Sequence, residues 1–493
     1  MIMHRSAARN LAVMAVIGVA STLTAAPAVA KPATQVKWGA CPKEVAAEVA
    51  PSTLDCATVP VPVDYADPAS GKINIMISRL ASKNPGKRRG VLLLNPGGPG
   101  GPGLAFAGFL VKRGLPTSVT DSYDLIGMDT RGIGHSAPVS CGFTTNGPYL
   151  GNVSPYAVDD AAVVKQAKVV KGVAEQCAKN DRKGYLRHLT TANTARDLDR
   201  IRAALGEEKT NFLGYSYGSS LGAAYASLFP ERSDRILLDS NYGDTHLDSD
   251  DMRRYALGME QTFPAFAKWA ARRHDSYGLG RTLEEVRATY FKIAERLDKK
   301  PTPGGDGGTF RAATFAALYT ESQYAPTAQL WQTLLTGGQP AVQPSQPGPS
   351  PFDNTWTVFL AVTCNDVDWP EDVKTYRRAV AQDRERYPLY GAAAANITPC
   401  AYWPHEPAEA PVKITDEGPT NILLVQNERD IPTPHHGAEM LREKFGDRAR
   451  LVSVDGSGHG AYVLGDNACA WNTATSYLVD GKMPTRDISC RAS

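Results

Sequence analysis

The sequence predicts an α/β fold, with a mostly parallel central sheet, helices on both faces and an inserted helical cap. Two observations predict this fold class. Short apolar runs alternate with helical patterns through the first half of the chain, as in a parallel sheet with crossover helices. After residue 242 a helical, aromatic stretch replaces this alternation, which returns near residue 416. We therefore expect one sheet whose chain is interrupted by an insertion.

The individual elements follow from local patterns. Continuous apolar runs predict strands buried on both faces. Residues 56–80 contain two patches in which apolar and polar residues alternate, separated by the turn sequence ADPASGK. This pattern predicts an N-terminal hairpin. In "TARDLDRIRAALG", Thr194 and Asp197 predict a capping-box-like helix start, and Gly206 predicts its end. The predicted buried strands lie at residues 90–95, 123–129, 210–216 and 234–240. The alternation of strand and helix returns with one strand-bearing stretch at 420–430 and another at 449–460, the second of which ends in a glycine-bounded loop.

The chain divides into four predicted segments. Two arginines, an apolar run and an A-x-A site ending at Ala30 predict a secretory signal peptide. A membrane anchor is the alternative, but the run is short and interrupted by Ser and Thr. A Pro-, Gly-, Ser- and Gln-rich stretch at 337–351 predicts a flexible segment within the cap. The predicted organisation is a signal peptide at 1–30, core at 31–242, helical cap at 243–415 and core again at 416–493.

Composition excludes some classes of function. Hydrophobic residues make up 42% of the chain and charged residues 21%, which is typical of a soluble globular protein. Two of the 53 basic residues and none of the 51 acidic residues lie in 1–30. The remaining chain is therefore electrically balanced, and we expect no nucleic-acid partner. We also expect no membrane association after signal cleavage, and a monomer.

Eight cysteines, all after the predicted signal peptide, indicate disulfides in an exported protein. Pairing between sequence neighbours is the simplest of the 105 possible connectivities. A zinc site is the alternative, but the chain has neither C-x-x-C nor H-E-x-x-H. We therefore expect no metal and no cofactor. The neighbour pairing is Cys41–Cys56, Cys141–Cys177, Cys364–Cys400 and Cys469–Cys490.

A candidate nucleophile follows the third predicted strand. Residues 214–218 read G-Y-S-Y-G, which matches G-x-S-x-G with Ser216 at its centre. A serine on a sharp turn between strand and helix has an exposed hydroxyl, and small residues two positions away allow close backbone approach. The alternative is an ordinary turn with a serine of no catalytic role. The preceding strand and the following Ala-rich helix favour the nucleophile.

Serine needs a general base, and this fold supplies an acid and then a histidine after later strands. Asp430 ends one predicted strand, and His459 follows the next within "GSGHG". The order Ser216, Asp430, His459 therefore predicts a catalytic triad. Asp239, at the end of the fourth predicted strand, is the alternative acid. Asp430 is preferred because its strand neighbours the one that leads to His459.

The glycine-rich loop "NPGGPGGPG" raises a second alternative, because Gly98 to Gly103 also fit G-x-G-x-x-G. A dinucleotide site needs backbone N–H donors, but Pro99 and Pro102 have none. The loop instead follows the strand where a hydrolase of this fold builds half of its oxyanion hole. We therefore predict Gly98 and Tyr217 as the N–H donors. Asp129 and Arg131 are expected to fix loops.

Six motifs together resemble the secreted bacterial tripeptidyl aminopeptidases, α/β-hydrolase serine exopeptidases related to prolyl iminopeptidase. The resemblance runs from about Trp38 to Cys490 and implies the α/β-hydrolase fold and the triad above. It also implies that Gly98 is the oxyanion glycine. The motifs are "NPGGPGGPG", "DTRGIGHSAP", "TTANTARDLDRIRAALG", "GYSYGSSLGAAYASLFP", "VQNERDIPTPHHGAEML" and "GSGHG".

The resemblance implies a secreted, extracellular serine peptidase that releases short peptides, tripeptides foremost, from free N-termini. Such an enzyme must bind the substrate ammonium, which requires a carboxylate or several acceptors. Asp366 is the first candidate, followed by Glu321 and Glu260. Two other functions stay open: an esterase or amidase of the same fold acting on small molecules, and a peptide-binding protein with an inactive hydrolase fold.

Overall fold

The structure, a computed structural model, describes residues 36–149, 151–181, 183–338 and 346–492. The predicted signal peptide and residues 339–345 of the Pro-rich stretch lie outside these ranges. The described residues form a ten-stranded sheet in the order β1-β2-β3-β5-β4-β6-β7-β8-β9-β10. Its strands are β1 (Gly39–Ala40), β2 (Asp55–Pro62), β3 (Lys72–Leu80), β4 (Val91–Asn95), β5 (Asp124–Met128), β6 (Thr210–Tyr215), β7 (Ser233–Asp239), β8 (Ile422–Arg429), β9 (Ala449–Ser457) and β10 (Ile488–Cys490).

The predicted mixture of strand directions is present. Strands β2 and β3 form the antiparallel N-terminal hairpin, and β3 pairs antiparallel with β5. From β5 to β10 every neighbouring pair is parallel. The predicted fold class, a mostly parallel sheet with helices on both faces, is therefore confirmed.

Helices cover both faces of this sheet because its central strands are apolar on both sides. On β4, Val91 and Leu93 belong to one buried cluster, and Leu92 and Leu94 belong to the other. This is the period-two alternation of side chains along a strand. The core helices are α1 (Lys43–Val49), α2 (Phe106–Lys112), α3 (Thr117–Ser122), α4 (Asp160–Asn180), α5 (Thr191–Ala204), α6 (Tyr217–Leu228), α15 (His435–Phe445) and α16 (Ala468–Asp480).

The insertion between β7 and β8 is helical in its described part, as predicted. Helix α4 precedes residue 242 in the chain, yet its Val163 and Val170 belong to the same buried cluster as Tyr376 and Ala392 of the insertion. Helix α4, which lies in the predicted core segment 31–242, therefore packs with the helices of the insertion. The insertion helices are α7 (Ser249–Ala271), α8 (His274–Tyr277), α9 (Leu283–Lys299), α10 (Gly307–Ala317), α11 (Tyr324–Leu335), α12 (Asp353–Asp366), α13 (Val373–Arg386) and α14 (Gly391–Ala394).

The start of α5 differs from the prediction. Its N-cap is Thr190, whose side chain accepts a hydrogen bond from the Asn193 N–H. Thr194 lies inside the helix and donates to the Thr190 carbonyl. Asp197 is buried in an ion pair with Arg131 rather than in a capping box. The helix therefore begins one turn earlier than the sequence pattern predicts.

Four disulfides join cysteines that are neighbours in the sequence. They are Cys41–Cys56, Cys141–Cys177, Cys364–Cys400 and Cys469–Cys490. The second ties α4 to the loop before it, and the third ties α12 to the chain after α14. Within the described ranges, no helix has the length and apolarity needed to span a membrane.

Candidate active site

Ser216 occupies a strained turn between β6 and α6. Its backbone has φ 58° and ψ −124°, a region that non-glycine residues seldom adopt and that concentrates at functional sites. The residue is 8% exposed. The predicted strand-to-helix geometry for a nucleophilic serine is therefore present at this position.

The two glycines of G-Y-S-Y-G allow this turn to form. A Cβ atom on Gly214 would lie 2.3 Å from the Gly218 carbonyl oxygen, and one on Gly218 would lie 2.8 Å from the Asn95 carbonyl oxygen. Both distances are too short for a side-chain carbon. The motif therefore reflects the close approach of β4, β6 and α6 around the serine.

Asp430 and His459 lie together after β8 and β9. The His459 Nδ1 atom lies 2.9 Å from Asp430 Oδ1 and 3.0 Å from Oδ2. Asp430 is fully buried, and it also accepts a hydrogen bond from the Thr433 N–H. Burial opposes a charged imidazole, but the charge and hydrogen bonding of Asp430 raise the pKa of His459 above its ordinary value. With its Nδ1 proton donated to Asp430, the imidazole has Nε2 free to act as a base.

Asp239, the alternative acid, forms hydrogen bonds with backbone N–H groups near His459 and at Ser216. Its carboxylate accepts hydrogen bonds from the Ala461 N–H at 3.0 Å and from the Tyr462 N–H at 2.6 Å. Its carbonyl oxygen accepts from the Ser216 N–H at 2.9 Å. Burial raises the pKa of Asp239 to about 7 despite these donors. Asp239 therefore joins the Ser216 turn to the loop that carries His459.

The glycine-rich loop lies against Ser216. A Cβ atom on Gly97 would lie 2.8 Å from Ser216 Cβ and 3.1 Å from the Tyr217 nitrogen. The Gly97 N–H donates to Asn95 Oδ1 and is therefore not available to a substrate. The next backbone N–H along the loop is that of Gly98. Tyr217 is the first residue of α6, where backbone N–H groups lack intrahelical acceptors. Both predicted oxyanion donors thus belong to segments that meet at Ser216.

Asp129 holds the other end of this loop. Its Oδ1 atom accepts hydrogen bonds from the Gly103 and Leu104 N–H groups, and its Oδ2 atom accepts from the His135 N–H. Arg131 is buried and pairs with Asp197. Asp129 therefore joins backbone groups of two loop segments, and Arg131 ties its own segment to α5.

Known proteins are similar in sequence to this chain over most of its length. A family model described as TAP-like protein matches residues 387–490, which include Asp430 and His459. The chain is 34% identical over 461 residues to a tripeptidyl aminopeptidase of Streptomyces lividans, covering 89% of this chain and 84% of that protein. The chain belongs to the tripeptidyl aminopeptidase family.

Two further relatives show the range of activities among similar proteins. The serine protease Hip1 of Mycobacterium tuberculosis is 27% identical over 488 residues, covering 92% of this chain and 91% of Hip1. Carboxylesterase B of the same organism is 28% identical over 488 residues, covering 93% of this chain and 90% of that protein. This member of the tripeptidyl aminopeptidase family is a serine hydrolase, and its peptidase relatives support a serine peptidase.

The three candidate amine-binding carboxylates have different surroundings in this family member. Glu260 is engaged, because it pairs with Arg287 at 2.9 Å and accepts from the Leu389 N–H. Glu321 is exposed in a 3₁₀ turn before α11. Asp366 is buried at the end of α12 and accepts two hydrogen bonds from Thr191. Glu260 therefore lacks the free carboxylate that the sequence-based prediction requires.

Asp366 is connected to the nucleophile turn through one side chain. Thr191 Oγ1 lies 2.6 Å from Asp366 Oδ2 and 2.8 Å from the hydroxyl of Tyr217, the residue after Ser216. Burial raises the pKa of Asp366 to about 7. No sequence signal identified Thr191, because the contact joins positions 175 residues apart.

A cluster of five aromatic residues in or next to the insertion reaches His459, and no sequence pattern predicts it. The Tyr242 hydroxyl lies 3.2 Å from that of Tyr255. The Tyr255 ring is 5.6 Å from Phe315, which stacks on Tyr390 at 4.5 Å. Tyr319 contacts both Phe315 and the His459 ring, the latter at 5.3 Å. We call Tyr242, Tyr255, Phe315, Tyr319 and Tyr390 the aromatic cluster.

Tyr242 brings this cluster to Ser216. It lies three residues after Asp239, and its N–H donates to Ser219 Oγ in the first turn of α6. Burial raises the pKa of Tyr242, whereas hydrogen bonds with Tyr255 and Ser216 lower it. Tyr242 follows the carboxyl end of β7, which lies at the same edge of the sheet as Ser216. This position is the sequence signal that points to Tyr242.

A polar cleft of about 620 Å³ is lined by both His459 and Tyr319. Ser216 and Asp430 do not line it. The Arg429 guanidinium is neutralised there by Asp455 at 2.7 Å and donates to Ser457. The lining residues are 112–113, 319–321, 454–461 and 463–467, with Asn427, Arg429 and Ala492.

Proposed function

We propose that this protein is an exported serine exopeptidase that releases short peptides, tripeptides foremost, from the free N-termini of peptide substrates. The observation that carries this proposal is the bonded pair of Asp430 and His459, connected through Asp239 to the strained turn of Ser216. The four disulfides suit export, because such bonds persist in oxidising compartments.

The proposed reaction is acyl transfer. His459 takes the Ser216 proton while Ser216 Oγ attacks the scissile carbonyl carbon, and Asp430 orients the imidazole. The N–H groups of Gly98 and Tyr217 stabilise the developing oxyanion. The carbon–nitrogen bond then breaks as His459 protonates the leaving amine. Water, activated by His459, hydrolyses the ester and releases the peptide acid.

For the substrate ammonium we propose Asp366 as the partner. It is a buried carboxylate whose hydrogen-bond donors, the Thr191 N–H and hydroxyl, are neutral. An ammonium would therefore supply the missing counter-charge. Three extended residues span roughly 10 Å, which suits a carboxylate connected to the nucleophile turn through Tyr217 and Thr191.

The test compares a tripeptidyl anilide with its N-acetylated form. We expect the wild type to cleave the free-amine substrate at least tenfold faster in kcat/KM, and Ser216→Ala to cleave neither. Asp366→Asn should reduce that preference to within about twofold, whereas the matched control Glu260→Gln should retain it. Equal cleavage of free and acetylated substrates by the wild type would refute the exopeptidase.

An esterase or amidase acting on small molecules is the second candidate, favoured by the similarity to carboxylesterase B over most of both chains. The same triad would serve it. Cleavage of simple esters without cleavage of tripeptidyl anilides would support this alternative.

A further inference from the structure

We propose that the polar cleft beside His459 binds the leaving peptide, and that Glu321 at its wall favours a positively charged residue directly after the scissile bond. This inference rests on the proposed exopeptidase activity. It assigns Glu321 a role on the leaving side of the bond rather than at the substrate ammonium.

The position of His459 gives the first argument. In the tetrahedral intermediate of acyl transfer, the former carbonyl carbon is bonded to four groups: the serine oxygen, the oxyanion, the leaving nitrogen and the acyl chain. His459 must reach the leaving nitrogen in order to protonate it. The imidazole side chain is 17% exposed and lines the cleft, whereas Ser216 does not. The cleft is therefore the space into which a group leaving past His459 would extend.

The chemistry of the cleft walls gives the second argument. These walls are polar and carry charges of both signs. Such walls can pair with the backbone amide groups of a bound peptide, which need hydrogen-bond partners when they leave water.

The size of the cleft gives the third argument. Ligand sites for molecules of several hundred daltons typically measure about 300–1,000 Å³. At about 620 Å³, this cleft exceeds the needs of a single small leaving group such as an alcohol. It is suited to several residues of an extended peptide.

Glu321 is the acidic residue of the cleft wall that lies nearest in the chain to Tyr319. It lies two residues after Tyr319, whose carbonyl oxygen accepts a hydrogen bond from the His459 N–H at 2.8 Å. The Arg429 guanidinium on the same wall is paired with Asp455. Glu321 forms no ion pair among the residues described and is exposed. Its charge at the His459 end should therefore attract a basic side chain.

The test uses peptides that share the N-terminal sequence Ala-Ala-Phe and differ in the leaving part. The leaving parts are Lys-Ala-Ala, Ala-Ala-Ala and Glu-Ala-Ala, and the matching Ala-Ala-Phe anilide reports the chemistry alone. For the wild type we expect kcat/KM to be about fivefold higher with Lys than with Glu, since a solvent-exposed pair contributes modestly. Raising the salt concentration should reduce this ratio.

Glu321→Gln is expected to bring the Lys-to-Glu ratio to within about twofold, with the ratio measured in each protein relative to its own anilide turnover. Glu284→Gln, an exposed glutamate on α9 outside the cleft, is the matched control and should retain the wild-type ratio. An unchanged ratio in Glu321→Gln would overturn the inference. So would a loss of discrimination against the N-acetylated anilide, because Glu321 would then bind the substrate ammonium.

Failure of the proposed function gives a different result. If the wild type cleaves neither the anilide nor any of the peptides, the exopeptidase itself is refuted. If it cleaves all of them but shows no charge preference, only the assignment of the cleft is refuted.

Discussion

The carbonyl oxygen of Asp239 accepts a hydrogen bond from the Ser216 N–H at 2.9 Å. The carboxylate of the same residue accepts from the N–H groups of Ala461 and Tyr462, which follow His459 in the chain. Asp239 therefore fixes the distance between the two segments that must cooperate in proton transfer. This makes it a positioning residue for the proposed triad.

Asp239→Asn is expected to lower kcat/KM for a tripeptidyl anilide at least tenfold. The substitution replaces one acceptor oxygen with an NH₂ group that faces backbone N–H donors. Because a buried backbone N–H group then loses its hydrogen-bond acceptor, the free energy of unfolding should fall by about 1–3 kcal/mol. Steady-state kinetics and urea unfolding would measure the two effects.

Asp234→Asn is the matched control, since Asp234 lies on the same strand and pairs with Arg89 near the surface. It should leave kcat/KM within about twofold of the wild type. A kcat/KM for Asp239→Asn equal to that of this control would contradict the positioning role.

The pH dependence of stability should report Asp366. Burial raises the pKa of Asp366 from its ordinary 3.8 to about 7. Between these values the folded protein retains a proton that the unfolded chain releases, so this residue makes stability fall as pH rises. Asp366→Asn cannot ionise, and its urea midpoint should fall less between pH 5 and pH 7 than that of the wild type. Parallel decreases in both proteins would disprove this assignment.

The pH dependence of activity should report His459. Asp430 raises the pKa of His459 above its ordinary 6.5, and only the neutral imidazole can accept the Ser216 proton. The acidic limb of kcat/KM should therefore have its midpoint above pH 6.5.

Asp430→Asn should lower kcat by about 10⁴-fold, as loss of the orienting carboxylate does in other triads. Retention of more than a tenth of wild-type kcat would exclude Asp430 as the triad acid.

Much of this fold could be predicted from the sequence, because strands covered on both faces need continuous apolar runs. Every buried strand that the sequence predicts is present, and its bounds shift by no more than three residues at either end. The end of each strand then identified candidate site residues, because parallel strands bring their carboxyl ends to one edge of the sheet. Asp430 and His459 meet there, 29 positions apart.

The features that the sequence did not predict depend on contacts between distant segments. The sequence pattern predicts a local capping box for Asp197, but its partner Arg131 lies 66 residues away, and both side chains are fully buried. The position of Asp239 at a strand end makes it an alternative acid, yet its carboxylate accepts hydrogen bonds from backbone groups 222 and 223 residues away. Spacing along the chain does not reveal such partners, because a carboxylate can satisfy its hydrogen bonds locally or across the fold.

Gly97→Ala should separate backbone strain from steric conflict at Ser216. A methyl group there would lie 2.5 Å from the Tyr215 carbonyl oxygen and 2.8 Å from Ser216 Cβ, on a backbone with φ +96°. One of the two segments must shift, which would displace Gly98, the residue proposed to donate its N–H to the oxyanion. Loss of one such donor typically costs about 10²–10³-fold in kcat, and we expect a loss of this size.

Gly71→Ala is the matched control for that experiment. Gly71 has a similar φ of +105°, but a methyl group there would meet nothing within 4 Å. It should incur the backbone strain alone, about 1 kcal/mol or more of stability, with kcat unchanged. Unfolding measurements on both variants would show whether their stabilities fall alike. If kcat then fell equally in both, the close approach of Gly97 to Ser216 would have no part in catalysis.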